Sequence, residues 1–415
     1  MPDPRPPRLV CRRCGAEHEL GPMFEGCAAC ADGGPAAPLE VTYDYDWHRD
    51  HGTLARWHER PPAVWSYREL LPLPAAEAPV SLFEGGTPLV RLEVDGPGTI
   101  WAKDETRNPT GAFKDRFHTV SVSMARHLGY GKVAASTTGN HGTSLAAYAA
   151  RAGLRCLVFA DPRAPEVQRG LIQLFGARLV SILDRRPNLA WLVRERGWYP
   201  STGLTPWPVA TPYGIEGYKT IGHEIYFQLG GRMPDRVVCP TSVGDVLYGP
   251  WRGFGELAAL GAEGRLPAMV AAQAAGCDPV VQAFAAGTRD VPVHPGPDTI
   301  ALSIGDETAA AYTMDAIFES GGSAHAVSDE ALLAAMRLLA RHGIAAESSS
   351  AASVAVALEL ARRGEITPGE DVVCVVTGSA AKWPADVAMA AEAHALHESD
   401  PQTIRAWLEA FDAER

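Results

Sequence analysis

Two groups of residues in this sequence have the types and spacing to do chemistry. The first is Cys11, Cys14, Cys27 and Cys30, two C-x-x-C hooks separated by 12 residues. Such hooks across a short hairpin can place four thiolates tetrahedrally around zinc. Gly15 follows the first hook and tolerates the positive φ of a tight metal knuckle. The second hook lacks that glycine. Four sulfur ligands leave no open coordination position, so the expected zinc is structural. The polar residues between the hooks could not build a core without it. Four free thiols are the alternative. The second group centres on Lys114 in NPTGAFKDR, Asn108 to Arg116. A Pro/Gly turn leads into what reads as a helix start, and a helix N-terminus lowers a lysine's pKa by disfavouring positive charge. A lysine so tuned can form a Schiff base with an aldehyde. Taken locally, an ordinary surface lysine beside Asp115 is the more common reading of such a segment.

The elements that must position these residues read as an α/β chain. Short β-branched runs such as DVVCVV end in polar turns and alternate with Ala/Leu-rich helical stretches such as TSLAAYAARAG. That alternation predicts βαβ units, a mostly parallel sheet covered on both faces, and ligands at the carboxyl ends of the strands. The turns STTGNHG, PTSVGD and VTGSAAK each follow such a strand. Residues 1–40 stand apart as the cysteine module. Residues 41–82, rich in Trp, Tyr, His and Pro, read as a connecting arm with short helices.

The 415 residues suffice for two domains plus a small module. The hydrophobic fraction of 46% and charged fraction of 21% are those of a globular chain, not a disordered or fibrous one. A net charge of −12 without a Lys/Arg block gives no electrostatic reason to bind nucleic acid or an anionic membrane. No window approaches the ~18 apolar residues of a membrane helix, and the start has no apolar signal region, so a cytoplasmic location is expected. The remaining cysteines, Cys156, Cys239, Cys277 and Cys374, read as core. An acidic surface with an aromatic arm is compatible with a homodimer without requiring one.

Taken in order, the cysteine hooks, EGGTPL, KDE, NPTGAFKDR, STTGNHG, ATPYGIEGYKT, PTSVGD, AAESSSAAS and VVTGSAAK resemble the threonine synthase family across nearly the whole chain. That family belongs to the tryptophan-synthase-β-like, fold type II pyridoxal-phosphate enzymes. Some of its members carry such an N-terminal ribbon. The resemblance implies two doubly wound open-sheet domains with the cofactor between them. Residues 83–115 and 223–415 would form the large cofactor-binding domain, and 116–222 the small substrate-side domain. It implies that Lys114 is the Schiff-base lysine and later the proton shuttle, and that Asn140 bonds the cofactor's phenolic oxygen. The phosphate loop would run from Thr241 through Ser242, Val243, Gly244, Asp245, Val246 and Leu247, with Asp245 an unexpected acid turned away from the phosphate. Thr377, or Ser379 beside it, would face the ring nitrogen. The carboxylate of a small amino-acid substrate would lie on Ser136, Thr137, Thr138 and His141. The implied reaction is elimination or replacement at the β or γ carbon, and the presence of Lys114 favours an enzyme over a binding protein that kept the fold.

The sequence departs from the family where a phosphorylated homoserine needs a second anion site. Gly214 stands where a basic residue is expected, and the turn reads GNHG with His141 in place of a threonine. The phosphate loop also lacks an additional asparagine. Either Lys219 or Arg116 takes over, or the substrate carries no phosphate or a different leaving group, as in serine/threonine or diaminopropionate ammonia-lyases and β-replacement enzymes. The departures favour the latter.

Overall fold

Period-2 strands and amphipathic helices of the lengths read above fold into one small antiparallel sheet and two larger sheets. The structure, a computed structural model, describes residues 3–30, 37–204, 211–391 and 400–413. In the ribbon, β1 (Arg8–Cys11) pairs antiparallel with β2 (Glu17–His18) and β3 (Leu39–Thr42). Leu9, Leu39 and Val41 are buried there against Val120 and Met124 of the body. The arm forms α1 (Tyr45–Asp50), α2 (Thr53–His58) and a 3-10 turn, Val64–Leu70.

The chain next lays down β4 (Leu89–Leu92) and β5 (Thr99–Asp104), and α3 (Lys114–His127) carries it to a second sheet. There β6 (Lys132–Thr137), β7 (Arg155–Ala160), β8 (Arg178–Ser181) and β9 (Tyr199–Pro200) alternate with α4 (Asn140–Ala152), α5 (Glu166–Leu174) and α6 (Arg185–Arg196). All four strands are parallel, in the order β8-β7-β6-β9. After α7 (Glu216–Gln228) the chain returns to the first sheet with β10 (Arg236–Pro240), α8 (Asp245–Ala259), β11 (Ala268–Ala274), α9 (Pro279–Ala285), α10 (Ala311–Glu319), β12 (Ser323–Val327), α11 (Asp329–Arg341), α12 (Ser348–Arg362) and β13 (Asp371–Val376). The order is β12-β11-β10-β13-β5-β4, parallel except at the β4 edge. Val372, Val373, Cys374, Val375 and Val376 are fully buried, as a strand covered by helices on both faces requires. Two short helices, α13 (Pro384–Ala390) and α14 (Pro401–Ala413), end the described chain. No helix among the described residues is long and apolar enough to cross a membrane.

A buried ion network fixes α3. Arg116, two residues after Lys114, meets Glu105 at 2.7 Å and Glu224 of α7 at 2.7 Å, and Lys103 of β5 meets Glu224 at 2.6 Å. All four side chains are inaccessible to solvent, and two positive charges face two negative ones. Such a cluster holds geometry tightly because a charge without its partner is very costly inside a protein.

Candidate functional site

The carboxyl ends of four strands from the two larger sheets open on a single cavity of about 160 Å³. Thr137 ends β6, Ser201 follows β9, Ser242 follows β10 and Thr377 follows β13, and all four line it. Strand ends of parallel sheets gather ligand sites because the helices that follow begin there with unpaired N–H groups.

Lys114 lines this cavity at the first residue of α3. Its Nζ lies 4.5 Å from the ring centroid of Phe113 and 5.7 Å from that of Tyr218. No carboxylate among the described residues comes within ion-pair distance. Burial lowers its pKa, and the charges of Asp245, Asp306 and Glu347 oppose that shift without reaching contact. That shift favours the neutral, nucleophilic amine relative to an exposed lysine.

Asn140, the first residue of α4, donates Nδ2 to Glu347 at 2.9 and 3.1 Å, while its buried Oδ1 has no partner. Burial pushes the Glu347 carboxyl up to about 7, against the opposing effects of Lys382 and Asn140. The turn after β10 ends in Gly244 at φ +106°, a conformation that L side chains rarely adopt, and a Cβ there would sit 1.7 Å from Thr313 Oγ1. This turn aims the start of α8, 15 residues long, at the cavity. Thr377 Oγ1 lies 2.8 Å from Ser350 Oγ, which also accepts the Gly378 N–H at 2.6 Å. With its acceptor role met, Ser350 can give its proton to Thr377 and leave the Thr377 proton for the cavity.

Of the residues singled out by sequence, Lys114, Ser136, Thr137, Thr138, Asn140, His141, Ser242, Val243, Gly244, Asp245, Val246 and Thr377 come together around the cavity. Leu247 is instead fully buried in the core, one residue too far along α8. Ser379 turns to cap the next helical turn, accepting the Ala381 N–H. Thr137 Oγ1 is occupied in capping α4, accepting from Gly139 and Gly142. Asp245 does not turn away: it lines the cavity, accepts from the Tyr312 hydroxyl, and is pushed toward its neutral form by burial.

The two residues offered as substitute cations face elsewhere. Arg116 is spent in its ion network, and Lys219 is enclosed by Glu216 and Glu256, each at 2.6 Å. His141 donates Nε2–H to the Ser201 carbonyl at 2.7 Å, and burial, reinforced by Lys114, lowers its pKa to about 3, so it carries no charge near neutrality. Gly214 is sterically closed to a basic residue, since a Cβ there would lie 2.1 Å from the Phe117 ring. The charged groups that sequence reasoning missed are Arg185 and Arg186 at the start of α6, Asp306 and Glu347. Only the adjacent pair in LDRRPN, a dipeptide that reads as a surface helix start, signalled the arginines.

In the ribbon the four cysteines converge, their sulfurs all within 4.8 Å of one another. Cys11 and Cys30 are 3.7 Å apart, and Cys14 and Cys27 are 3.9 Å apart.

Residues 80–378 match the family model described as pyridoxal-phosphate dependent enzyme. The chain is 36% identical over 411 residues to the threonine synthase of Methanocaldococcus jannaschii, covering 95% of this chain and 98% of that protein. It is 37% identical over 407 residues to the threonine synthase of Methanosarcina acetivorans, covering 96% and 97%. Among solved structures, a fungal L-serine ammonia-lyase from Rhizomucor miehei superposes with a TM-score of 0.62 at 21% identity, over 71% of this chain and 93% of that one. Maize serine racemase does so at 0.61 and 20%, over 79% and 92%. The structures share the fold; the near full-length sequence matches carry the assignment further. This chain belongs to the threonine synthase family of pyridoxal-phosphate-dependent enzymes, lyases that eliminate or replace groups at the β or γ carbon of an amino acid.

Proposed function

We propose that this enzyme makes threonine from O-phosphohomoserine, with Lys114 as the Schiff-base lysine and proton carrier. One observation carries the reading: Lys114 is the single lysine among the described cavity-lining residues, and its amine has no ionic partner there. Lys219 and Lys382 are both committed elsewhere, Lys382 donating to the Thr110 carbonyl at 2.7 Å.

The residues present fit the cofactor. Asn140, anchored to Glu347 by its Nδ2, stands at the cavity where its amide can meet a phenolic oxygen. The first N–H groups of α8, beginning at Asp245, suit a phosphate, and burial shifts the Asp245 carboxyl in the direction that lessens its repulsion of one. Thr377 offers a hydroxyl rather than a carboxylate to the ring nitrogen, an arrangement better suited to elimination and replacement than to transamination. When bound, the cofactor supplies the electron sink that stabilises negative charge at the substrate's α carbon. Lys114, its pKa lowered by burial, takes and returns protons between neighbouring carbons. Thr138 and the amides opening α4 hold the substrate carboxylate. Glu347, titrating close to neutrality, is placed to follow the proton load of the site.

The test is a product assay. O-Phosphohomoserine is expected to yield threonine and inorganic phosphate in equal amounts. Release of 2-oxobutanoate from threonine or pyruvate from serine, with no threonine formed, would instead establish the ammonia-lyase reading.

For the ribbon we propose one structural zinc per chain on Cys11, Cys14, Cys27 and Cys30. A tetrahedron with Zn–S bonds of about 2.3 Å has edges of about 3.8 Å, which the two sulfur pairs at 3.7 and 3.9 Å match. Metal analysis of protein purified without chelator is expected to give one zinc, falling to none in Cys11→Ser/Cys30→Ser. Absence of zinc in the unaltered protein would sink the assignment.

A further inference from the structure

The cavity presents a paradox for a substrate bearing a phosphate. His141 is neutral, Gly214 has neither a side chain nor room for one, and Arg116 and Lys219 are locked away. Burying a dianion without charged donors is prohibitive.

We propose that Arg185 and Arg186, at the start of α6, hold the anionic group on the substrate's side chain; the proposal rests on the functional reading above. Both line the same cavity as Lys114 and also the adjoining one, which they share with Thr138 and Asp306. Arg185 is largely buried, with 18% of its side chain exposed. Its Nε donates to Ser136 Oγ at 3.3 Å and its Nη1 to Asp161 Oδ2 at 2.6 Å. Its remaining terminal nitrogen, Nη2, has no partner among the described residues.

Asp161 does not neutralise this arginine. Its single carboxylate, buried at the end of β7, is shared with Arg163, whose Nε and Nη2 each meet it at 3.0 Å. Two guanidinium groups on one carboxylate leave a net positive charge, and Asp161 orients Arg185 rather than cancelling it. Arg186 is still freer: its nearest acid, Asp306, lies 3.7 Å away and also accepts from Ser242. The first turn of α6, a helix of 12 residues, contributes N–H groups of the same sign. The arrangement therefore supplies two planar donor forks, the geometry that binds a phosphoryl group bidentately.

The experiment compares the holoenzyme with its Arg185→Gln, Arg186→Gln, Arg185→Lys and Arg186→Lys variants. Each glutamine variant is expected to raise KM for O-phosphohomoserine about tenfold to a hundredfold, the cost of one charged donor pair, and to lower kcat as well, because the group these arginines hold is the one that leaves. The lysine variants are expected to recover part of the loss. Inorganic phosphate is the second probe: calorimetry on the cofactor-saturated enzyme is expected to show binding that the glutamine variants lose. Arg186, about half exposed with one long ionic contact, can be replaced without risk to folding, so its variants decide the matter if Arg185→Gln is unstable. Unchanged KM and unchanged phosphate binding in Arg186→Gln, or no phosphate binding by the unaltered enzyme, would overturn the proposal. Arginine-dependent phosphate binding without any turnover of O-phosphohomoserine would keep the anion site and reject the functional reading instead.

Discussion

Lys114→Ala is expected to abolish threonine formation, lowering turnover by more than the factor of about 10²–10⁴ that loss of a positioned acid–base group alone causes. The excess is expected because the proposed role also gives this amine the covalent link to the cofactor. The unaltered protein is expected to be yellow, to lose its colour with hydroxylamine, and after borohydride reduction to yield a labelled peptide containing Lys114. Lys114→Arg should fare no better, since a guanidinium stays charged and cannot serve as an exchangeable amine. Label on Lys219 or Lys382 would overturn the assignment. Both are poor candidates, since each already donates to fixed oxygens, Lys219 to Leu70, Glu216 and Glu256, and Lys382 to Thr110.

Arg116→Met should have the largest effect on stability. It strands Glu105 and Glu224 in a region without solvent, with Lys103 the one remaining cation in contact. Breaking a buried pair in this way costs about 3–5 kcal/mol, a large share of the ~5–15 kcal/mol that holds a folded protein together. Urea unfolding followed by tryptophan fluorescence should show a markedly lower midpoint. Adding Glu105→Gln should restore part of the loss, because it removes one of the two unpaired acids. An unchanged midpoint in the single variant would mean that solvent reaches the cluster.

The fold class was legible because the period of the apolar residues and the polar turns after each strand are local properties. DVVCVV reads as a strand buried on both faces, and β13 is one. The turns STTGNHG, PTSVGD and VTGSAAK meet at one cavity because parallel strands end on the same side. What escaped was pairing between distant segments. Arg116 sits in the most informative motif and could serve equally well as a ligand or as a structural ion; only Glu224, 108 residues on, decides it. Nothing near Gly214 in sequence says that the Phe117 ring fills the space beside it. Arg185 and Arg186 look like a solvated helix start until Asp161 and Ser136 are brought alongside. Glu347 lay within a motif already noted, AAESSSAAS, but its titration near neutrality depends on burial, which no local pattern encodes.

Beside its apolar packing on Val64, Leu71 and Leu73 of the arm and on Val120 and Met124, the ribbon bonds to residues far along the chain. Arg12, between the first two cysteines, bonds Tyr248 and also Asp315, which lies 303 positions away. Gly21 bonds the Tyr213 hydroxyl across 192 positions, and Glu25 pairs with Arg194 across 169. Synthesis runs from N- to C-terminus, so the ribbon is made before these distant partners and must wait for them. A metal can organise the ribbon at once, since its four ligands lie within 20 residues, but its seat is assembled only when α6, α8 and α10 are in place. Docking of the ribbon thus closes loops of up to 303 residues, the kind of contact that forms late in folding whatever the order in which local pieces organise.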